Sequence, residues 1–179
     1  MPNTRILLGH QEPGWIAPAE KAGILAIDAA KQWSGTAAIG TATFSGKPAN
    51  NDTVTINGKV YTFQSVLTNS DGNVLIAGNA LGSMQNLMNA INLGPGAGTN
   101  YAAAMTKNPV VFAYQVQGNG GPQTPKMRVQ AKGPGAWGNA ITTTKVSVNT
   151  AWGGATLAGG AATIVDVVGE VALRSAQQR

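Results

Sequence analysis

Alternating apolar and polar positions predict a first group of β-strands in the middle of the chain. The segment Ile39–Phe44 alternates as a strand, and Asp52–Phe63 reads as two strands joined by Asn57-Gly58, a pair typical of a two-residue type I′ turn. The register set by that turn places four apolar side chains on one face, which we expect to be buried. These side chains are Val54, Ile56, Tyr61 and Phe63.

The apolar period becomes helical after residue 80. Five apolar residues lie at helical spacing until Asn92 and Gly94-Pro95 end the pattern: Leu81, Met84, Leu87, Met88 and Ile91. The polar positions between them carry no charge, although solvated helices usually carry ionic residues there. An ordinary polar surface is the simpler interpretation of this outer face, and contact with a neighbouring chain is the alternative. The predicted outer face consists of Ser83, Gln85, Asn86 and Asn89.

Three further strands are predicted after the helix. They are Val110–Gln117, Lys126–Ala131 and Ala140–Val148, and two glycine-rich loops, Gly118–Pro122 and Gly133–Gly138, separate them. The order is therefore a strand, a hairpin, a helix and more strands. This order indicates an α+β fold, with one amphipathic helix covering a mostly antiparallel β-sheet and with extended N- and C-terminal arms on either side.

Residues 1–36 are predicted to form the N-terminal arm, and residues 37–160 the core domain. Pro13-Gly14 and Pro18 break any early helix, so the first 18 residues are expected to be extended. An arm this apolar needs something to cover it, and we expect its apolar residues to contact neighbouring subunits. These predicted anchors are Ile6, Leu7, Leu8, Trp15 and Ile16.

Residues 161–179 are predicted to form a C-terminal arm or an added strand. The β-branched residues of this segment favour a strand over a helix. A strand left unpaired in its own subunit would template aggregation, whereas an assembling protein can add it to a neighbour's sheet. We therefore expect subunit contacts at Ile164, Val165, Val167 and Val168.

Composition argues against catalysis. Only 11% of the 179 residues are charged, cysteine is absent, and His10 is the single histidine. Between residues 29 and 165 the only acids are Asp52 and Asp71. General acid–base catalysis needs titratable groups within hydrogen-bonding distance of one another or of the substrate. The sequence therefore predicts a protein that is not an enzyme and that uses no cofactor and no metal.

The net charge of +5 does not by itself indicate nucleic acid as a partner. The twelve basic residues are scattered singly, and no run of them is interleaved with aromatic residues, which argues against direct nucleic-acid binding. No apolar stretch approaches the roughly 20 residues of a membrane span, so no membrane partner is expected.

Two motifs resemble ligand sites but have simpler interpretations. Gly133–Gly138 matches G-x-G-x-x-G, yet a predicted strand follows it, and pyrophosphate binding needs a helix N-terminus at that place. His10 lies beside Glu12 but has no second ligand at a useful spacing for a metal.

The tryptophans have both a binding and a structural interpretation. Aromatic rings can stack on a sugar, but buried anchors and subunit contacts are their commoner use in an arm or at a loop end. Glycan binding would require an exposed aromatic pair near Trp137 and Trp152. The four tryptophans are Trp15, Trp33, Trp137 and Trp152.

Six segments of the core are similar to a module that recurs in the virion proteins of tailed bacteriophages. The longest reads GTATFSGKPANNDTVTINGKVYTF. The six are Gly40–Phe63, Asn73–Gly78, Asn89–Asn92, Gly98–Tyr101, Ala131–Ile141 and Trp152–Gly160. Together they span about residues 37–160. The resemblance implies a structural protein of the virion, made in the cytoplasm of the bacterial host. Such modules occur in sheath, fibre and head-associated proteins alike.

Size and charge favour one position in the particle. A contractile-sheath subunit is usually far longer than this chain, and tube lumens that conduct DNA are commonly acidic, whereas this core holds two acids. A capsid-decorating or cement protein combines a compact domain with apolar arms, and it often has a net positive charge that complements an acidic capsid shell. We therefore expect capsid decoration, with other copies of the chain and the phage major capsid protein as partners. A tail, collar or head–tail junction protein is the closest alternative, and a host-surface glycan-binding module is the other.

Overall fold

The structure, a computed structural model, describes residues 34–116 and 124–163. Nearly all of these residues belong to one compact unit, Gly35–Ala162. They contain one α-helix, α1 (Ala80–Asn92), one 3₁₀ helix (Ala136–Ala140) and ten strands. The strands are β1 (Ser34–Thr36), β2 (Ile39–Phe44), β3 (Thr53–Ile56), β4 (Lys59–Gln64), β5 (Asn73–Leu75), β6 (Val111–Val116), β7 (Lys126–Ala131), β8 (Thr143–Val146), β9 (Thr150–Trp152) and β10 (Ala161–Thr163).

The strands form two four-stranded sheets and one two-stranded ladder. Sheet 1 has the order β6-β7-β2-β9 and is antiparallel throughout. Sheet 2 has the order β5-β4-β3-β8 and contains one parallel pair, β4 with β5. The ladder pairs β1 with β10. The predicted α+β class, with mostly antiparallel strands and one amphipathic helix, is confirmed within the described residues. The two predicted arms lie almost wholly outside them.

The sequence indicates one sheet, whereas the structure has two four-stranded sheets and the small β1–β10 ladder. The hairpin of β3 and β4 takes β8 as its third antiparallel strand, while β2 pairs with β7 and β9. Local alternation shows which side chains face a core, but it does not show which distant strand lies alongside. The division into two sheets therefore follows from long-range pairing.

The hairpin forms as the sequence predicts. Ile56 pairs with Lys59 and Val54 with Tyr61. Asn57 and Gly58 both have positive φ, 49° and 78°, which a type I′ turn requires. The local turn chemistry and the local register therefore agree.

The hydrophobic core joins buried side chains of both sheets and of helix α1. The four apolar residues of the hairpin face, Val54, Ile56, Tyr61 and Phe63, are fully buried, as predicted. Phe63 of sheet 2 meets Phe44 of sheet 1 edge to face, with ring centroids 6.3 Å apart. Full burial of one large apolar side chain stabilises a fold by roughly 1.5–3 kcal/mol, so this layer is a main source of stability.

Helix α1 contacts the edge strands of both sheets, β5 and β6. It begins after Asn79, whose side chain accepts a hydrogen bond from the backbone N–H of Gly82 at 2.8 Å. It ends at Leu93, which adopts the left-handed conformation with φ 52°. The predicted apolar stripe is confirmed at its buried residues, Met84, Leu87 and Ile91.

The predicted outer face of the helix is wrong for two of its four residues. Ser83 and Asn86 are buried. The Ser83 hydroxyl donates to the carbonyl of Asn79 and accepts from the N–H of Ala77, both at 3.0 Å. The Asn86 amide donates to the carbonyl of Leu75 at 2.9 Å. These positions are uncharged because they bind backbone groups of the preceding segment.

The outer edges of β5 and β6 are covered by other parts of the chain. At β6, the Asn92 side chain pairs with Ala113 as a neighbouring strand would: its amide donates to the Ala113 carbonyl at 2.7 Å and its oxygen accepts from the Ala113 N–H at 2.9 Å. At β5, the N–H of Leu75 donates to the carbonyl of Asn100 at 2.9 Å. Covered edges offer fewer unpaired backbone groups to other chains.

The predicted strand Ala140–Val148 is shorter than expected, because β8 spans only Thr143–Val146. The 3₁₀ helix occupies the residues before it. There the N–H of Gly138 donates to the carbonyl of Gly135 at 3.3 Å, and the N–H of Ile141 donates to the carbonyl of Gly138 at 3.2 Å. These turn hydrogen bonds keep the segment out of the strand ladder.

Candidate functional site

All nine predicted subunit contacts lie outside the described residues. They are Ile6, Leu7, Leu8, Trp15, Ile16, Ile164, Val165, Val167 and Val168. His10, Glu12 and Trp33 also lie outside them. These predictions therefore stay predictions. The described core provides its own candidates, which are two outward sheet faces and one polar cluster.

The glycine motif Gly133–Gly138 leads directly into the 3₁₀ helix, which is only five residues long. The Trp137 indole donates to the carbonyl of Pro134 at 2.9 Å within this loop. A Cβ on Gly138 would come within 2.8 Å of the Cβ of Ala38. The motif therefore serves packing: because Gly138 has no side chain, the 3₁₀ helix can lie close to Ala38.

Trp137 and Trp152 do not stack on one another. Each indole N–H donates to a backbone carbonyl: that of Trp137 to Pro134, and that of Trp152 to Thr144 at 3.1 Å. The aromatic ring pairs of the described segments are Phe44 with Phe63, and Phe112 with Tyr114. The structure therefore does not bring the two tryptophans together as a sugar platform.

Both carboxylates of the described core hold local structure. Asp52 accepts a hydrogen bond from the N–H of Ala49 at 2.9 Å. Asp71 accepts from the Lys59 ammonium at 2.8 Å and from the N–H of Thr106 at 2.8 Å. Within residues 34–116 and 124–163, no group of three His, Cys, Asp or Glu side chains could hold a metal ion. A shallow depression of about 400 Å³ lies beside the turn 47–50 and is lined by neither acid.

The hydrogen bonds of the cluster formed by Lys59, Asp71 and Thr106 determine the protonation of Asp71. Partial burial alone would raise the pKa of this carboxyl, but the hydrogen bonds from Lys59 and Thr106 outweigh burial and lower the pKa to about 2. A lowered pKa in the folded state means that the ionised carboxylate stabilises the fold above the unfolded pKa of 3.8. That stabilisation is lost as the pH falls through about 2.

Replacing Asp71 by asparagine is expected to lower the free energy of unfolding at pH 7 by about 1 kcal/mol. This free energy is smaller than the full pKa shift would give, because the Asp71 side chain is 47% exposed and solvent screens its ion pair. Urea unfolding of both proteins at pH 7 and at pH 2 measures the effect. The difference should be much smaller at pH 2, where about half of the folded wild-type molecules have this carboxyl protonated; an equal difference at both pH values would contradict this explanation.

The outward face of sheet 2 carries only uncharged side chains on three adjacent strands. Cross-strand pairing arranges six residues in two rows, Val60–Thr55–Thr144 and Thr62–Thr53–Val146. We call these six residues the valine–threonine face. Val60 is 47% exposed and Val146 is 71% exposed, so the face is open to contact.

The outward face of sheet 1 has a different chemistry. Pairing of β6 with β7 and of β7 with β2 arranges three rows, Phe112–Gln130–Ile39, Tyr114–Arg128–Thr41 and Val116–Lys126–Thr43. We call these nine residues the basic–aromatic face. The rings of Phe112 and Tyr114 stack with centroids 5.9 Å apart and planes inclined by 29°.

The basic–aromatic face is the surface that sequence reasoning missed. Lys126 and Arg128 lie in a different part of the chain from Phe112 and Tyr114, so the sequence shows no basic and aromatic residues interleaved. Alternation along β6 and β7 could have assigned these four side chains to outward faces. Only the pairing of the two strands places them together.

Among the described residues, no helix is both long enough and apolar enough to cross a membrane. No protein-family model, no curated protein and no solved structure matches this chain.

Proposed function

We propose that this chain is a non-catalytic structural protein of a tailed-phage particle, and that it decorates the capsid by binding the major capsid protein and other copies of itself. The valine–threonine face is the observation that carries the proposal. The resemblance of about residues 37–160 to a module of phage virion proteins supports it independently.

The valine–threonine face has the composition of a contact surface. Its six residues are β-branched and uncharged, and two of them, Val60 and Val146, expose apolar side chains where a solvated sheet face usually carries polar ones. Val148, just beyond β8, is 90% exposed and adds apolar area close to Val146. Exposed apolar surface of this kind marks interaction sites, and its burial contributes about 25 cal/mol per Å².

The described core offers its outward faces for assembly more readily than the outer edges of β5 and β6. The outer edge of β6 is bonded to Asn92, and the outer edge of β5 to Asn100. A neighbour that docks beside these two strands therefore meets side chains on an outward face rather than a free strand edge. The strand predicted at Ile164–Val168 would act in the opposite sense, by donating an edge to a neighbour.

The titratable groups of the core support a role without catalysis. Asp71 is held by Lys59 and Thr106, and Asp52 by the backbone of Ala49. Both acids are therefore engaged in local structure. Assembly requires no titrating group, only complementary surfaces repeated by the symmetry of the lattice.

Replacing both Val60 and Val146 by lysine is expected to weaken binding to capsids at least about tenfold, because two charges would have to be desolvated in the contact. The fold should persist, since both side chains point to solvent. Val66→Lys is the matched control: it changes an equally apolar residue, 77% exposed, in the turn after β4 and outside the face. If the double variant binds capsids as tightly as the wild-type protein does, the valine–threonine face is not the surface that contacts the capsid.

Cosedimentation of the purified protein with empty capsids and with isolated tails of the same phage tests the proposed position. Saturable binding to capsids alone supports decoration. Binding to tails alone supports a tail, collar or head–tail junction protein instead. If neither particle binds the protein, the virion role fails, and titration with host polysaccharide then tests the glycan-binding alternative.

A further inference from the structure

The basic–aromatic face combines the residue types that carry most of the binding energy in protein interfaces. Arginine and tyrosine are enriched among such residues, and large aromatic side chains contribute contact area at low entropic cost. On this face Arg128 lies opposite Tyr114 in the β6–β7 register, and Phe112 stacks on Tyr114. Phe112 is 38% exposed, so part of the aromatic surface is open to a partner.

Arg128 is not used by the part of the chain that the structure describes. Its Nε is buried without a hydrogen-bond partner there. In residues 34–116 and 124–163 the one ion pair is that of Lys59 with Asp71, so neither Arg128 nor Lys126 is neutralised by a carboxylate of the described core. A buried N–H group without a hydrogen-bond partner costs stability unless something outside the described core binds it.

The charge of the face indicates an acidic occupant. All nine residues are either neutral or basic. The acids of the described core, Asp52 and Asp71, are bonded elsewhere, so a second core cannot supply the complementary charge. The complementary charge therefore comes from outside the described core, as carboxylates or phosphates.

A protein surface fits this face better than a nucleic acid does. Binding along a nucleic-acid backbone uses a string of cations and separate aromatic platforms for successive bases. This face holds two cations, and its two rings stack on each other rather than standing apart. The remaining positions include Thr41, Thr43 and Gln130, which suit the mixed polar contacts of a protein interface.

We propose that the basic–aromatic face docks a carboxylate-rich protein surface, with the Arg128 guanidinium binding a partner carboxylate and with Phe112 and Tyr114 packing beside it. This inference rests on the proposed function and states the chemistry of the capsid surface that the protein decorates. Guanidinium groups suit this role because they bind carboxylates through two parallel hydrogen bonds.

The test compares binding of wild-type protein and variants to intact capsids and to capsids whose surface carboxylates have been amidated. Arg128→Gln is expected to weaken binding to intact capsids about tenfold. Arg128→Lys is expected to weaken it less, because lysine keeps the positive charge but cannot donate two parallel hydrogen bonds to one carboxylate. Phe112→Ser tests the aromatic part. Lys107→Gln is the matched control, since it removes one exposed positive charge from the loop that carries Thr106. Thermal unfolding of every variant separates loss of binding from loss of fold.

Two soluble probes, poly-L-glutamate and a single-stranded oligothymidylate, test the same surface without any particle. Wild-type protein should bind polyglutamate, with an affinity that falls as salt is raised and that Arg128→Gln lowers. Tighter binding to the oligothymidylate would overturn the inference in favour of nucleic acid. Self-association that Arg128→Gln abolishes would overturn it in favour of a second copy.

The particle results distinguish failure of the inference from failure of the proposed function. If amidation and Arg128→Gln both leave capsid binding unchanged, the inference is overturned and capsid decoration stands. If the wild-type protein binds no particle, the proposed function fails, and the polyglutamate result alone then decides whether the face recognises carboxylates.

Discussion

Replacing Asn108 by leucine is expected to lower the free energy of unfolding by about 3 kcal/mol. Asn108 is fully buried. Its side-chain oxygen accepts from the backbone N–H groups of Val110 at 3.1 Å and Val111 at 3.2 Å, and its amide donates to the Tyr61 hydroxyl at 3.3 Å. Leucine has a similar volume but would leave these three polar groups without their partner, and two of them, the Val111 N–H and the Tyr61 hydroxyl, are buried.

Burial of Tyr61 makes the loss of Asn108 more costly. Desolvation raises the pKa of Tyr61 to about 12, although the hydrogen bond from Asn108 acts in the opposite direction. The same burial means that, once the Asn108 amide is lost, the Tyr61 hydroxyl oxygen lacks that donor in a poorly hydrated place. Tyr61→Phe removes only one of the contacts of Asn108 and is expected to cost about 1 kcal/mol.

Urea unfolding followed by tryptophan fluorescence measures these effects. Asn89→Leu is the matched control: it makes the same substitution at a partly exposed helix position and is expected to change stability by less than about 0.5 kcal/mol. In a double-mutant cycle, Tyr61→Phe should cost less in the Asn108→Leu background than in wild type. A loss below 1 kcal/mol for Asn108→Leu would show that the site relaxes or admits water.

Replacing Gly138 by alanine is expected to cost about 2–3 kcal/mol by overpacking. The added Cβ would lie 2.8 Å from the Cβ of Ala38 and 3.0 Å from the Cβ of Ala131. Neither neighbour can rotate away, because a Cβ is fixed by its own backbone. The 3₁₀ helix would have to move off the segment that leads into β2, or off the end of β7.

Thermal and urea unfolding of Gly138→Ala measure this cost, and two further variants identify its cause. Gly78→Ala is the control, because no atom lies within 4 Å of the Cβ it would add and its stability should be close to that of wild type. Ala38→Gly combined with Gly138→Ala removes the closer clash and should recover part of the loss. If the double variant is less stable than Gly138→Ala alone, steric overlap is not the reason.

The local elements could be predicted because their signals are local. The Asn57-Gly58 turn sets its own register, and the helix shows in the spacing of its apolar residues up to Asn92 and Gly94-Pro95, so both were recognisable from neighbouring residues. The buried polar positions of the helix were not. A helical period does not distinguish a polar side chain facing water, such as Asn89, from one that binds a backbone group of the preceding segment, such as Ser83.

The valine–threonine face likewise has one part that the sequence predicts and one part that it does not. The alternation of Thr53, Thr55 and Thr62 against buried apolar residues assigns an uncharged outward face to the hairpin from sequence alone. Val146 joins that face only because β8 pairs with β3. The two parts of the face are more than 80 residues apart in the chain, so no local pattern could connect them.

By itself the sequence determined the α+β class, the hairpin with its buried face, the helix and the scarcity of acids in the core. Each depends on spacing or composition within one segment. Only the tertiary structure decided that the strands divide into two sheets, that Asn92 covers the edge of β6, and that Arg128 lies beside Tyr114. These features depend on contacts between distant segments, which form because all the apolar faces must be buried together in one core.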